Sequence, residues 1–403
     1  MPKVDFTNYE GREQAFIKHC LLGEYLPDWA YKVGSKWDSL AYVDAFAGPW
    51  QTKHPNFADS SFGIAVDLLR RCQNGLRESR GRDLHLECIL VEQEEEPFAQ
   101  LKKFAAGETG DNFVVRALGG SFAEQIPAID DLIKGSGTNP FRFVFLDPKG
   151  WADIPMAKIR SLLNHRSCEV LITLMTRHIV RFLDQLDRQE SYRSLFGREG
   201  VIEELRKAPS HARVEQAVNE YSLSLKMLCN FKYVSSALIL EPNMEAVRYY
   251  LLYGTNHPRG IEVFKMAENK ASRIQDDVRQ ESRIQRTGGQ LEFPSDVGPA
   301  RSRLASTLWQ RYLDGARKKV IKTLLTARDA AQGVAYEELF CEAMAFPIVS
   351  PEDLVNCIRH LEPHVKITFA ESDRRKKPSP LKDDRVVVVN AAALQKLAAS
   401  SKQ

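Results

Sequence analysis

Two apolar segments constrain this chain more than any other feature: Ala41-Tyr42-Val43-Asp44-Ala45-Phe46-Ala47-Gly48-Pro49 and Phe141-Arg142-Phe143-Val144-Phe145-Leu146-Asp147-Pro148. Each is a strand-like run that ends in an aspartate and then breaks at glycine or proline. In an open parallel sheet, ligands bind just beyond the carboxyl ends of the strands. Two such ends, each carrying a carboxylate, define a floor on which a ligand and a reacting group can meet.

Both segments belong to a longer alternation. A helix is expected over 11–29, with Phe16, His19, Cys20, Gly23, Leu26 and Trp29 near one face. Strands are expected over 40–46, 86–92, 112–117, 142–147 and 169–174, and helices over 60–72, 96–106, 121–134 and 153–164. Apolar strands joined by helices in this way make a doubly wound parallel α/β sheet. After a helical insertion at about 176–228, strands over 233–240 and 247–253 flank the turn Glu241-Pro242-Asn243-Met244. That turn is too short for a parallel crossover, so the pair is an antiparallel hairpin. Five parallel strands finished by such a hairpin form the Rossmann-like sheet of class I methyltransferases.

At 403 residues the chain has room for two or three domains. The expected division is an N-terminal helical segment 1–36, the α/β domain 37–267, a partly helical, mobile linker 268–300 and a C-terminal domain 301–395. In the linker, Ser272-Arg273-Ile274-Gln275 recurs as Ser282-Arg283-Ile284-Gln285, with too few apolar residues to bury. The C-terminal domain has helices over 309–327 and 336–343, then a third opened by Ser350-Pro351-Glu352-Asp353. Strands over 365–369 and 385–390 enclose a basic tip, Arg374-Arg375-Lys376-Lys377. Three helices followed by a hairpin make a winged helix, whose third helix enters a groove while the wing contacts phosphates. The same domain serves elsewhere as a protein interface, and both roles stay open. Residues 301–403 hold 18 Lys and Arg against 12 Asp and Glu, so the basic charge sits at this end of the chain.

No apolar run approaches the roughly 20 residues that span a bilayer, and the first residues lack the apolar core of a secretory signal. The seven cysteines are scattered, with no CxxC pair, which suits reduced thiols in a cytoplasm and argues against a structural metal.

The candidate chemistry lies at the strand ends. The loop from Asp44 through Phe46 and Ala47 to Gly48 lacks the G-x-G-x-x-G of dinucleotide binders, which leaves room for S-adenosylmethionine (SAM). Glu92, closing Ile89-Leu90-Val91-Glu92, suits the hydroxyls of a ribose; the acidic run after it also suits a solvated helix start. Ser121, after Gly119-Gly120, serves either an adenine amine or a helix cap. Asp147 would accept a hydrogen bond from an incoming amine, Pro148 fixes the turn, and Trp151 can stack on a flat base. Asp147 as a simple turn cap is the alternative. In Tyr249-Tyr250-Leu251-Leu252-Tyr253-Gly254-Thr255-Asn256-His257-Pro258-Arg259-Gly260, the tyrosines read first as the two faces of a β-strand; the alternative is that Thr255, His257 and Arg259, which follow the strand, line a substrate mouth.

Together, the segments 42–49, 144–151 and 249–260 resemble the three-Cys-motif partner protein family (TcmP), a branch of SAM-dependent methyltransferase-like proteins. The resemblance spans roughly 10–270, and the tail is similar to the winged helix that often follows in this family. It implies a class I methyltransferase core encoded beside a partner with a three-cysteine motif that itself resembles radical-SAM proteins. Carried over, Asp44 and Gly48 fall on the SAM loop, Glu92 on the ribose acid and Asp147 on the fourth-strand motif. Two positions depart from the pattern: Trp50 stands where glycine is common, and Lys149 where amino-methyltransferases have proline. The expected function is methyl transfer to nucleic acid, favouring an exocyclic base amine; the alternative is a non-catalytic, SAM-binding regulatory partner.

Overall fold

The computed structural model describes residues 9, 11–48, 52–54, 56–135, 139–150, 153–185, 188–286, 303–327, 332–369 and 384–400. They fall into two compact units, the larger within residues up to 289 and the smaller mainly within 290–403.

The larger unit is built by alternation. Helix α1 (Glu13–Gly34) leads into β1 (Ser39–Asp44), α2 (Ser61–Arg80), β2 (His85–Glu92), α3 (Glu95–Glu108), β3 (Phe113–Gly119) and α4 (Phe122–Gly135). Then come β4 (Phe141–Leu146), α5 (Met156–Leu163) and β5 (Cys168–Leu174). A helical insertion follows: α6 (Thr176–Arg181), α7 (Gln189–Phe196), α8 (Val201–Lys207) and α9 (Arg213–Leu228). The unit closes with β6 (Tyr233–Leu240), β7 (Val247–Thr255) and α10 (Pro258–Arg286).

The seven strands lie in the order β3-β2-β1-β4-β5-β7-β6. The first five pair in parallel and β7 runs antiparallel to β5. A backbone bond from Glu241 N to Ala246 O closes the connection between β6 and β7 at 2.8 Å. The interior strands are buried along their lengths, which is why they read as mainly apolar runs, with Arg142 and Glu169 as buried exceptions. Helices α1, α2 and α10 pack together in one layer, and α5 joins α4 and α9 in another. This is the expected doubly wound sheet with its terminal hairpin.

Helix α1 is no separate segment: it packs on α2, α10 and β1. It buries Phe16, Ile17, Cys20, Leu21, Leu22, Tyr25, Leu26, Trp29 and Ala30, more than one face of a surface helix would. The stretch expected to begin a linker at residue 268 continues α10 as far as Arg286, with Ala271, Gln275, Val278 and Arg279 buried. Polar side chains make that docking. Gln275 accepts from Leu240 N at 2.8 Å, and Arg279 donates to the carbonyls of Glu241 and Met244 and to the Glu245 carboxylate.

The smaller unit holds α11 (Arg303–Leu325), β8 (Val334–Ala335), α12 (Tyr336–Ala343), α13 (Pro351–Leu361), β9 (Val365–Thr368), β10 (Arg385–Val388) and α14 (Ala391–Ser400). Its strands form an antiparallel sheet in the order β8-β10-β9. The Ser350 hydroxyl accepts from Asp353 N at 3.2 Å and Asp353 Oδ2 accepts from Ser350 N at 2.8 Å, a reciprocal cap on α13. The basic tip Arg374, Arg375, Lys376 and Lys377 lies outside the described residues.

No described helix is long and apolar enough to cross a membrane. All seven cysteines are buried.

A candidate active site at three strand ends

Sheet register brings the predicted acids together. Asp44 is aligned with Leu90 of β2 on one side and with Phe145 of β4 on the other. Glu92 and Asp147 therefore each stand two positions further along a neighbouring strand. Side chains two apart share a face, so Asp44 and Glu92 point to the same side of the sheet. The charge of Asp147 reaches Asp44 and Tyr42 and disfavours ionisation of both.

Asp44 is fully buried. Its Oδ2 accepts from Ser61 Oγ at 2.7 Å and more weakly from the Tyr42 hydroxyl at 3.4 Å; its Oδ1 accepts from Phe46 N at 3.2 Å. Asp44 thus ties the start of its loop to the first turn of α2. Burial pushes its carboxyl up to about 7, against these hydrogen bonds and with the Asp147 charge adding to the rise. Beyond it the chain straddles both neighbours: Ala45 N donates to Phe145 O at 3.0 Å and Ala47 N to Val91 O at 2.8 Å. The Phe46 ring lies against Phe122, centroids 5.6 Å apart; Ala47 is buried and Gly48 half-buried.

Glu92 is 4% exposed, and its Oε1 accepts from Glu94 N at 2.7 Å. Its other carboxylate oxygen has no hydrogen-bond partner among the described residues. Gly120 N donates to Glu92 O at 3.0 Å, so the Gly119-Gly120 turn sits directly beside this acid. Gly120 has φ +120°, a backbone only glycine adopts without strain. A Cβ on Gly119 would meet the Phe98 ring at 2.9 Å. Ser121 serves the start of α4: its carbonyl accepts from Glu124 N and Gln125 N, and its hydroxyl donates to Glu124 Oε2 at 2.7 Å.

Asp147 is partly exposed, Pro148 is buried, and Trp151 lies outside the described residues. The Asp147 carboxylate is paired with the ammonium of Lys18 from α1, which also stands over the Tyr249 ring, 5.2 Å from its centroid. Residues before and within α1 make further polar contacts. The Tyr9 hydroxyl and His19 Nδ1 share a 2.8 Å hydrogen bond. Arg12 pairs with Asp59 at 2.8 Å, and Asp59 also accepts from Lys53 N at 2.9 Å and His54 N at 3.3 Å. Burial, reinforced by the Lys18 charge, lowers His19 to about 3, so it stays neutral.

Lys18, Tyr249 and Ser61 were not among the residues singled out from sequence. One signal was present: Lys18 is a lone cation inside the apolar run Phe16-Ile17-Lys18-His19-Cys20-Leu21-Leu22. The motif 249–260 is divided between the two ends of the sheet. Because β7 runs antiparallel, Gly254 is aligned with Val170 at the start of β5, and Thr255, His257 and Arg259 lie at the opposite edge of the sheet from Asp147. There they are structural. Thr255 Oγ1 donates to Glu169 at 2.8 Å, Tyr25 donates to the same carboxylate at 2.6 Å, and His257 Nδ1 accepts from Arg259 N at 3.1 Å. The Glu169 carboxyl is raised by burial despite these donors. The other end of the same strand brings Tyr249 to the site.

Among the described residues, no group of three or more His, Cys, Asp or Glu could hold a metal ion. The strand order defines a Rossmann-like α/β sheet closed by an antiparallel strand pair, an arrangement that class I methyltransferases also have. No protein-family model matches the chain, and no curated protein does. Among solved structures it is similar to the O-methyltransferase TomG from Streptomyces achromogenes, involved in tomaymycin synthesis and solved in complex with SAM. The two share 16% identity over 58% of this chain and 79% of that chain, with a TM-score of 0.32. The fold assignment rests on the strand order rather than on this likeness.

Proposed function

We propose that the chain is a cytoplasmic SAM-dependent methyltransferase of the three-Cys-motif partner type, acting on nucleic acid with an exocyclic base amine as acceptor. The observation that carries this is the convergence of Asp44, Glu92 and Asp147 at three adjacent strand ends. The donor set suits an adenosyl sulfonium: Glu92 has a carboxylate oxygen to spare for a ribose, and the acids around Asp44 favour a bound cation. When bound, SAM supplies an electrophilic methyl group on a positively charged sulfur. Glu92 would hold the ribose, the loop from Asp44 through Phe46 and Ala47 to Gly48 the methionine end, and Ser121 the adenine side. Asp147 would accept a hydrogen bond from the acceptor amine and orient its lone pair, with Pro148 fixing the turn and Trp151 stacking on the base. The smaller unit would act as a winged helix, with Arg374, Arg375, Lys376 and Lys377 on phosphates.

A second reading, a SAM-binding regulatory partner without turnover, is favoured by Lys18, which already engages Asp147. Calorimetry with SAM and labelled-methyl transfer onto total nucleic acid separate the two. Asp147→Ala should keep SAM binding and lower transfer by about a hundredfold or more. Unchanged turnover would remove the catalytic assignment, and SAM binding without any transfer by the unaltered protein would establish the regulatory reading.

A further inference from the structure

Resting on that role for Asp147, we propose that Lys18 is a specificity-determining residue: with Asp147 it reads an edge in which an amine N–H stands beside an unprotonated ring nitrogen. Adenine (N6–H beside N1) and cytosine (N4–H beside N3) carry that edge. The two side chains arrive from different elements, Lys18 from α1 and Asp147 from the end of β4. They are 12% and 20% exposed, sheltered yet reachable. The buried Tyr249 ring beneath the ammonium fixes the lysine from a second side.

A lysine ammonium has three N–H donors and no acceptor, while an ionised carboxylate only accepts. One ammonium N–H is spent on Asp147, which leaves two. The pair therefore presents an acceptor and a donor side by side, the complement of a donor beside an acceptor. On the Watson–Crick edge of guanine the 2-amino group stands beside N1–H, so the Lys18 ammonium would face another donor. Uracil and thymine have no exocyclic amine. Two-point complementarity of this kind discriminates strongly, because a mismatched base leaves a sheltered charged group unpartnered.

The test replaces one ring atom. Single-stranded oligonucleotides carry one cytosine or 3-deazacytosine, and in parallel one adenine or 1-deazaadenine. Binding is measured by fluorescence anisotropy with no SAM added, and methyl transfer is measured separately. The deaza bases keep the amine and the shape but present C–H where Lys18 would donate. The unaltered protein should bind and methylate the deaza base roughly tenfold or more less well, the loss expected for one hydrogen bond to a charged group. Lys18→Met should bring that ratio close to one, and Lys18→Arg should restore part of it. A lysine that merely held α1 in place would, when replaced, weaken both oligonucleotides equally and leave the ratio unchanged. Equal handling of parent and deaza bases by the unaltered protein overturns the inference and leaves the methyltransferase reading standing. No SAM binding and no transfer to any oligonucleotide overturns both.

Discussion

The buried Asp44 carboxyl should make the stability of the larger unit depend on pH in a way that Asp44→Asn abolishes. Its proton affinity is raised from 3.8 to about 7, chiefly by burial. An acid held more tightly protonated in the folded state contributes no penalty below the unfolded value. The penalty grows as pH rises through the folded value and is complete above it. Across about three pH units, at about 1.4 kcal/mol for each, it reaches about 4 kcal/mol. Asparagine keeps one acceptor oxygen for Ser61 Oγ or Phe46 N and cannot ionise. Urea denaturation of both proteins at intervals from pH 5 to pH 8 should show Asp44→Asn gaining on the unaltered protein by about 3 kcal/mol over that range. Titrating groups that do not interact with Asp44 cancel in the difference. Parallel curves, or a variant that loses ground as pH rises, would show that Asp44 is solvated or ionised in the folded state and refute the burial argument.

Two substitutions test the packing elsewhere. A Cβ on Gly260 would stand 2.5 Å from the Tyr253 hydroxyl, 2.7 Å from Thr255 Oγ1 and 2.8 Å from Glu169 Oε1. Gly260→Ala should therefore cost about 1–3 kcal/mol despite the helix-forming advantage of alanine, read as a lower melting temperature; an unchanged or higher one would mean that the Tyr25–Glu169–Tyr253 network gives way freely. In the smaller unit, Ser350→Ala removes the reciprocal cap on α13 and should cost about 1 kcal/mol. Hydrogen exchange should quicken at the α13 amides, and unaltered protection would remove the cap's role.

What the sequence disclosed depended on how local the signal was. Strands β1, β2, β4 and β5 were legible because burial on both faces leaves mainly apolar runs, and the acids closing β1 and β2 and following β4 stood out against them. The cap on α13 was legible because all its parts lie within four consecutive residues. Beyond residue 267 the sequence does not show how α10 is held, because Gln275 and Arg279 dock it through backbone carbonyls and an amide rather than through apolar spacing. Lys18 and Asp147 are 129 positions apart, so nothing local announced their pairing. The motif ending at Gly260 was misplaced because its composition shows aromatics and cations but not strand direction. Antiparallel pairing of β7 sends Tyr249 to the site and Thr255 away from it. β8, two residues long, and the short α14 gave too little pattern to notice.

If the strand-end acids shape a seat for an adenosyl donor, calorimetric titration of SAM into the full chain should detect it. Glu92→Gln preserves an acceptor for Glu94 N while removing the anionic partner proposed for the ribose. One site is expected in the unaltered protein, with affinity lower by about ten- to a hundredfold in the variant. No heat of binding with the unaltered protein, or equal affinity in the two, would contradict it.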